Sequence, residues 1–549
     1  MAKAGHKYLF VIGGVMSGVG KGIATASIAK LLDASGFDVN TVKIDPYLNV
    51  DAGTMNPTEH GETFVLRSGL ETDQDMGNYE RFLGRDLTSD DYITSGMVYR
   101  SVIDRERALG YKGKCVEAIP HVRDEIIRRI EAAADYNGSV VSVIEVGGTV
   151  GDFQNALFME AARVMRMEHP EDVAVIMVSY LPVPSKVGEM KTKPTQNAVR
   201  DLNSYGIQPD FILARSTVPL DEKRKEKIAL MCSVRKDHVI SAPDVESIYE
   251  VPLNFEKDRF GELLQKTLHL SGKGKKPKLA SWEKFVKALT GAKKEVNIAI
   301  VGKYFDTGDF VLGDAYISVI EAIKFSAASL GIRAKISWVN AKDIEKDTKG
   351  MALKGFDGIL VPGGFGETGI EGKIKAVRYA REKKVPYFGI CYGMHMLVIE
   401  YARTVLGFKG AHTTEIDTHT PYPVVDMMLE QKKHLAENHY GGTMRLGSYP
   451  AYLKKGTLAR ASYKKEIVDE RHRHRYEINP AYVPELEKAG LVFSGISPDG
   501  VLAEIAELPR KEHPFFLGVQ FHPEFQARPL SPHPLFTAFI KSAFDNKKR

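Results

Sequence analysis

A cysteine stands between two glycines in Gly389-Ile390-Cys391-Tyr392-Gly393-Met394, where an apolar run from Val385 ends and a helix-compatible stretch, His395 to Ala402, begins. A sharp strand-to-helix turn of this kind presents a nucleophilic sulfur, and the helix N-terminus favours an anion there. The competing reading is a small cysteine packed in a core. Near the C-terminus, Phe516-Leu517-Gly518-Val519-Gln520-Phe521-His522-Pro523-Glu524 delivers a histidine from a strand. Glu524, two residues on, points the same way on a period-2 pleat. Cysteine, histidine and an orienting carboxylate make a nucleophilic triad. Gly363, Gly364 and Gly366, in Pro362-Gly363-Gly364-Phe365-Gly366, could offer backbone N–H donors to an oxyanion. Together the three segments are far more specific than any one of them.

A second chemistry lies in Gly13-Gly14-Val15-Met16-Ser17-Gly18-Val19-Gly20-Lys21-Gly22. The apolar run Tyr8–Ile12 precedes it and a helix-compatible stretch, Ile23–Leu32, follows. Strand, glycine turn, lysine and helix N-terminus together make a phosphate cradle. Five residues rather than four separate Gly14 from Gly20, and Gly22 stands where Ser or Thr usually holds magnesium. A plain glycine turn is the alternative. Glu71-Thr72-Asp73-Gln74-Asp75 gathers three carboxylates, either a magnesium site beside the phosphates or a solvated acidic turn. In Ser139–Asp152 an apolar strand ends in Glu145 and a glycine turn. Ligands bind at the carboxyl ends of strands in open parallel sheets, so Glu145 comes near Gly20 and Lys21 if their strands are neighbours. Lys191, Thr192, Lys193, Thr195 and Gln196 surround Pro194, as a phosphate and base contact or as a solvated loop.

Elements must hold these groups. Asp38–Ile44, Val173–Val178 and Phe211–Ala214 read as further strands of the first half. In the second half, strands at Val296–Val301, Ala334–Val339 and Asp357–Val361 alternate with a helix over Asp314–Ser329. The expected fold class is α/β, with two doubly wound, mostly parallel-sheet domains at residues 1–270 and 296–545. Residues 271–295 read as a linker, with a basic run at Gly272–Lys278 and a short helix at Trp282–Leu289. The loop after Asp45-Pro46-Tyr47, through Gly53, Asn56, Pro57, His60 and Gly61, is too rich in glycine, proline and charge for mere connection.

The 549 residues are 43% hydrophobic and 26% charged, which fits globular protein of more than one domain. A net charge of +5 over this length does not argue for nucleic acid, and the basic run carries no interleaved aromatics, so neither DNA nor RNA is an expected partner. No apolar stretch approaches membrane-spanning length, so no membrane partner is expected. The N-terminus lacks signal-peptide architecture. Three scattered cysteines, Cys115, Cys232 and Cys391, suit a reducing, cytoplasmic setting.

With these motifs assembled, the chain resembles the CTP synthase family over nearly its whole length. The second half is similar to class I glutamine amidotransferases through the glycine, cysteine and His522-Pro523-Glu524 segments. The first half narrows the match. Its glycine loop, Lys43-Ile44-Asp45-Pro46-Tyr47, Glu145-Val146-Gly147-Gly148-Thr149-Val150-Gly151-Asp152 and Lys191-Thr192-Lys193-Pro194-Thr195-Gln196 are similar to that family's amidoligase domain. Glu470-Arg471-His472-Arg473-His474-Arg475-Tyr476 matches as well. The family's loop has the spacing found here, with Gly22.

The resemblance implies that ATP phosphorylates the 4-oxygen of UTP, and that ammonia from L-glutamine hydrolysis, carried through an internal tunnel, displaces the phosphate to give CTP. It implies Mg2+, activation by GTP and inhibition by CTP. By motif, ATP falls to Ser17, Gly18, Val19, Gly20, Lys21, Gly22, Lys43 and Asp75, and the metal to Asp75 and Glu145. UTP and CTP fall to Ser17, Asp152, Phe153, Gln154, Lys191, Thr192, Lys193, Gln196 and Lys227. Glutamine falls to Gly364, Phe365, Tyr392, His395, Glu415 and Arg475, with Cys391 as nucleophile, His522 as base and acid, and Glu524 orienting it. Arg445 matches the GTP lid and His60 the tunnel mouth. The family forms homotetramers, with Asp152 near a neighbouring subunit's nucleotide, and these polymerise into filaments. Four positions depart from the usual pattern besides Gly18: Gln154 replaces a glutamate, Tyr392 a leucine, His395 a glutamine and Ala52 a proline. Two rivals remain: another amidoligase, such as those acting on cobyrinic acid, and a filament subunit with decayed chemistry. The Lys191–Gln196 segment speaks against the first, and the intact Lys21, Glu145, Cys391, His522 and Glu524 against the second.

Overall fold

The structure is a computed structural model and describes residues 5–186, 188–270, 276–302, 313–347, 350–428, 431 and 441–547. The chain divides into two compact units. One holds Met1–Asp51 and Asp75–Val286; the other holds Ala52–Gln74 and Lys287–Arg549.

The first unit is built on seven strands: β1 (Lys7–Gly14), β2 (Val39–Asp45), β3 (Tyr92–Thr94), β4 (Val141–Val146), β5 (Val173–Tyr180), β6 (Phe211–Ser216) and β7 (Val239–Pro243). They lie in the order β3-β2-β4-β1-β5-β6-β7, and every pair is parallel. The strands read as continuous apolar runs because helices cover both faces of such a sheet. β1 is buried from Tyr8 to Gly14, and Phe10, Ile44, Ile144 and Val175 belong to one core. The helices that bear on the site are α1 (Lys21–Ala34), α2 (Gln74–Leu83), α3 (Lys193–Ser204) and α4 (Glu222–Cys232).

Residues 276–286, expected to be linker, belong to this unit. Helix α5 (Ala280–Gly291) begins there. It buries Trp282, whose indole N–H donates to the Tyr249 carbonyl over 2.8 Å. An aromatic that large gains more from burial than a solvated hinge would allow. The basic residues 271–275 lie outside the described residues.

The second unit carries a nine-stranded sheet of β8 (Lys294–Gly302), β9 (Ile332–Asn340), β10 (Gly358–Val361), β11 (Tyr387–Ile390), β12 (Arg445–Leu453), β13 (Ile467–His474), β14 (Val492–Ile496), β15 (Ala503–Glu507) and β16 (Phe516–Val519). The order is β9-β8-β10-β11-β16-β15-β14-β12-β13. Strands from β9 to β16 pair in parallel, and those from β15 to β13 extend the sheet antiparallel. The parallel part matches the sequence expectation; the antiparallel extension does not, since it uses charged, alternating strands such as Ile467–His474. Helix α6 (Tyr392–Thr404) follows β11. An excursion of the N-terminal half also packs here. Its strands Phe64–Val65 and Glu71–Thr72 form a short antiparallel pair, and Phe64 lies edge-on to Phe525 with ring centroids 5.0 Å apart.

Among the described residues, no helix is long and apolar enough to cross a membrane.

Candidate active sites

In the first unit β4 lies between β1 and β2, so the neighbour condition on Glu145 is met. Lys43 and Glu145 are register partners across β2 and β4. The Lys43 Nζ donates to Glu145 Oε1 at 2.9 Å and to Asp75 Oδ2 at 2.6 Å, and lies 3.6 Å from Asp45. The Tyr79 hydroxyl donates to the other Glu145 oxygen. Burial pushes the Glu145 carboxyl upward, whereas for Asp75 the Lys43 charge and hydrogen bond overcome burial and hold the carboxyl below its usual range. One lysine thus sits between a buried carboxylate, Glu145, and a half-buried one, Asp75. Asp75 reaches the start of α1 only because residue 22 is glycine: a Cβ there would fall 2.0 Å from Asp75 Oδ1.

Asp75 and Glu145 suit magnesium, a hard ion commonly held by one or two carboxylates plus phosphate oxygens and waters. Among the described residues, no group of three or more acidic, histidine or cysteine side chains forms a self-sufficient metal cage. The acidic cluster at 71–75 is divided: Glu71 belongs to the second unit, where it accepts from Arg473 at 2.8 Å.

The glycine loop carries Ser17 and Gly18 at the surface and Val19 buried. Gly20 caps α1 with φ +88°, in the left-handed region. Lys21 opens the helix, is buried, and donates to the Gly148 carbonyl at 2.7 Å; burial draws its pKa down. Beside Gly20 a cleft is lined by Ile23, Ala24, Leu213, Arg215, Pro243 and Phe255. Sequence reasoning missed this cleft, because its residues come from widely separated stretches of the chain and carry no motif.

Asp152 accepts from the Thr149 N–H and hydroxyl at 2.7 and 2.8 Å. It thereby fixes a turn that leaves Phe153 91% exposed and Gln154 exposed. Gln196 donates to Thr192 Oγ1 at 3.1 Å, both buried, at the start of α3. Lys193 is exposed. Lys191 pairs with Glu189 at 2.6 Å, and Lys227, exposed on α4, also acts on that glutamate. The segment and Lys227 therefore share one charged locale.

In the second unit Cys391 sits between β11 and α6 with φ +48°, strained for a residue with a side chain, as a nucleophile turn requires. His522 Nδ1 is 2.8 Å from Glu524 Oε1. Burial alone disfavours the imidazolium, but the Glu524 charge and the Cys391 sulfur outweigh it and raise the ring to about 10. Gly363 permits the close approach of this ring: a Cβ there would fall 2.7 Å from His522 Cε1. Cys391, His522, Glu524, Gly363, Gly364 and Phe365 line one cavity, together with Glu62, Thr63 and Arg473.

Strand β13 supplies backbone contacts to both reactive residues, to the main chain of His522 and to the sulfur of Cys391. The Arg471 carbonyl accepts from the His522 N–H at 2.7 Å, and the Arg473 carbonyl lies 3.9 Å from Cys391 Sγ. Arg473 also places its guanidinium 5.4 Å from the Phe365 ring. Glu62 accepts from the Ser318 hydroxyl and N–H. Glu62 carried no expectation, and Arg473 none beyond its place in the matched segment Glu470–Tyr476. The one available signal was the alternation of basic residues in Arg471-His472-Arg473-His474-Arg475.

The other residues expected around glutamine are distributed as follows. Glu415 accepts from the Gly366 N–H at 2.8 Å, and the Tyr392 hydroxyl donates to the Gly366 carbonyl at 3.0 Å. Both therefore brace the glycine turn. Arg475 donates to Gln431 and Thr443, each at 2.9 Å. His395 points to Gln520. His60 is exposed in the excursion.

Arg445 is buried in β12, 3.1 Å from Glu477 and 2.7 Å from Glu504. Burial, then the neighbouring Glu504 charge, raises Glu477 from 4.5 to about 8. Between those values the unfolded chain has lost this proton and the folded one keeps it, so stability falls as pH rises through the window. We expect the melting temperature to drop from pH 5 to pH 8.5 more steeply in the parent chain than in Glu477→Gln. Equal slopes in calorimetry at both pH values would contradict this.

Two family profiles match the chain: "CTP synthase N-terminus" over residues 7–270 and "Glutamine amidotransferase class-I" over residues 311–542. CTP synthase of Pyrococcus furiosus is 52% identical over 546 residues, covering 99% of this chain and 98% of its own. That of Methanothermobacter thermautotrophicus is 48% identical over 543 residues, covering 99% of each. The solved glutaminase domain of Trypanosoma brucei CTPS with bound acivicin is 38% identical, covers 45% of this chain and 93% of that one, and aligns with a TM-score of 0.41. With both halves matched and half of all residues shared end to end, the chain belongs to the CTP synthase family, as a glutamine-hydrolysing enzyme that forms a C–N bond.

Proposed function

We propose that this enzyme makes CTP from UTP, ATP and L-glutamine through a UTP phosphorylated at its 4-oxygen. The observation that carries the reading is that one chain holds both halves of the chemistry. Lys21, Lys43, Asp75 and Glu145 are gathered at the ends of β2 and β4 and the start of α1, and Cys391, His522 and Glu524 surround one cavity. A carbonyl oxygen is a poor leaving group, and phosphorylation makes it a good one.

The glycine loop, Ser17 to Gly22, would cradle ATP phosphates, and Lys21 and Lys43 would stabilise the moving phosphoryl group. The apolar cleft beside Gly20, with Arg215 at its edge, suits the adenine ring. Asp75 and Glu145 would hold Mg2+, which supplies neutralisation of phosphate charge. Lys43 would then be released from both carboxylates to meet the phosphates. Asp152, Phe153, Gln154, Lys191, Thr192, Lys193, Gln196 and Lys227 would receive UTP, with CTP sharing the triphosphate part.

Cys391 would attack the glutamine amide carbon, with Gly363 and Gly364 N–H groups facing the oxyanion. His522, protonated at neutral pH, would give its proton to the departing ammonia and then activate water. Gly364, Phe365, Tyr392, Glu415 and Arg475 would form the glutamine site, with His395 behind it. Ammonia must stay unprotonated to react, which favours an internal tunnel, with His60 at its mouth. Glu62 and Thr63, contributed to the Cys391 cavity from the N-terminal half of the sequence, support that coupling. GTP would activate glutamine hydrolysis through the Arg445 segment, and CTP would inhibit. We place the enzyme in the cytoplasm as a homotetramer able to form filaments.

The test follows absorbance where CTP differs from UTP, in ATP, magnesium and UTP, with either glutamine plus GTP or ammonium chloride. A rise with both nitrogen sources is expected. No rise with either would overturn the UTP assignment.

A further inference from the structure

Position 395 lies in the first turn of α6, four residues after the nucleophile, yet its side chain is not part of the Cys391 cavity wall. His395 is buried at 2% exposure, with Nε2 2.9 Å from Gln520 Oε1. Gln520, with no exposed surface, donates from Nε2 to Cys391 Sγ over 3.9 Å. A carboxamide has one accepting and one donating end. Holding its oxygen on the imidazole therefore turns its NH2 toward the sulfur. An amide oxygen can only accept, so the imidazole carries its proton on Nε2. The Tyr476 carbonyl also acts on the ring, but Nδ1 makes no hydrogen bond among the described residues. Burial draws the ring's pKa down to about 4, so it is neutral at working pH.

We propose that His395 is a positioning residue of glutamine hydrolysis, acting through Gln520 to aim an amide N–H at the sulfur of Cys391. This rests on the reading of Cys391 as the glutamine nucleophile. It replaces the direct glutamine contact that family resemblance assigns to position 395. The N–H holds the sulfur in one rotamer and is placed to stabilise the thiolate that attacks. The bond is of the charged type, worth more than a neutral one.

The test uses the full-length chain with ATP, UTP, magnesium and GTP, measuring glutamate release against glutamine concentration. It also measures alkylation of Cys391 by iodoacetamide at fixed pH, by peptide mapping, with exposed Cys115 as internal reference. His395→Phe should lower kcat by about tenfold or more, the scale of one hydrogen bond to a charged group, with KM for glutamine little changed. Alkylation of Cys391 should change with it while Cys115 does not. His395→Gln, whose amide can donate to Gln520 Oε1, should restore most of the rate. Gln520→Met should lose as much as His395→Phe, and the double variant no more than either.

A raised KM with unchanged kcat in His395→Phe would overturn the proposal in favour of direct substrate contact. Additive losses in the double variant would overturn it too. Ammonia-dependent CTP formation reports that each variant is folded. If His395→Phe fails that control, Gln520→Met and His395→Gln decide. No glutamate release by the parent chain would sink the underlying reading alone, because the Cys391 alkylation rates still test the His395 link.

Discussion

Cys391→Ala should lose glutamine-dependent CTP formation by about 10⁴-fold or more while keeping the ammonia-dependent reaction. The loss is large because no other side chain in the cavity can form the thioester. Glu524 orients His522 at 2.8 Å, and His522 without a sulfur has only water to activate. Alanine at a strained turn removes the nucleophile without removing the strain, since φ +48° belongs to the backbone between β11 and α6. Modest destabilisation is therefore not expected to decide the result. The ammonia reaction should survive because Lys21, Lys43, Asp75 and Glu145 belong to a different compact unit. The measurement is the CTP absorbance rise with glutamine plus GTP against that with ammonium chloride, on one preparation. Loss of both activities in a folded protein would contradict the division of labour.

How much of this was legible in the sequence differs by residue. The parallel strands were readable because strands covered on both faces are apolar throughout: Tyr8–Ile12 and Val173–Val178 lie inside the observed β1 and β5. The approach of Glu145 to Lys21 followed from the rule on carboxyl edges and needed only the neighbour condition, whereas the register pairing of Glu145 with Lys43 carried no expectation. His522 and Glu524 face one another as their spacing suggested, although they meet where the strand has given way to a short 3₁₀ turn.

Three features had no local signal. Glu71 reads as one member of an acidic run, but its partner is Arg473, some four hundred residues away in the chain. Spacing along a sequence cannot report such a pair. Trp282 looked like part of a linker because it follows the basic run at Gly272–Lys278, and its burial against Tyr249 depends on tertiary packing alone. His395 falls to glutamine by family resemblance alone, and its pairing with the Gln520 carboxamide on the adjacent strand end is a long-range contact that no local pattern announces.

Lys21→Ala should lower CTP formation from both nitrogen sources by about 10²–10³-fold, the cost of losing one preorganised charge at a phosphoryl transition state. The lysine is well placed for differential binding. It opens α1, so its charge adds to the positive end of the helix, and among the described residues its hydrogen bond is to the Gly148 carbonyl at 2.7 Å, a neutral acceptor that phosphate oxygens can displace. Burial makes the bare ammonium costly and draws its pKa down, a cost relieved when an anion arrives. Removing the side chain should accordingly impair turnover more than fold. Alanine leaves Gly20 and Gly22 to shape the loop, and Lys43 still bridges Asp75 and Glu145. Thermal stability without nucleotide should then match or exceed that of the parent, while UTP-dependent ADP release falls in step with CTP formation. The discriminating result is the ammonia assay: an unchanged rate there would show that Lys21 does not serve phosphoryl transfer, and would move that role to Lys43.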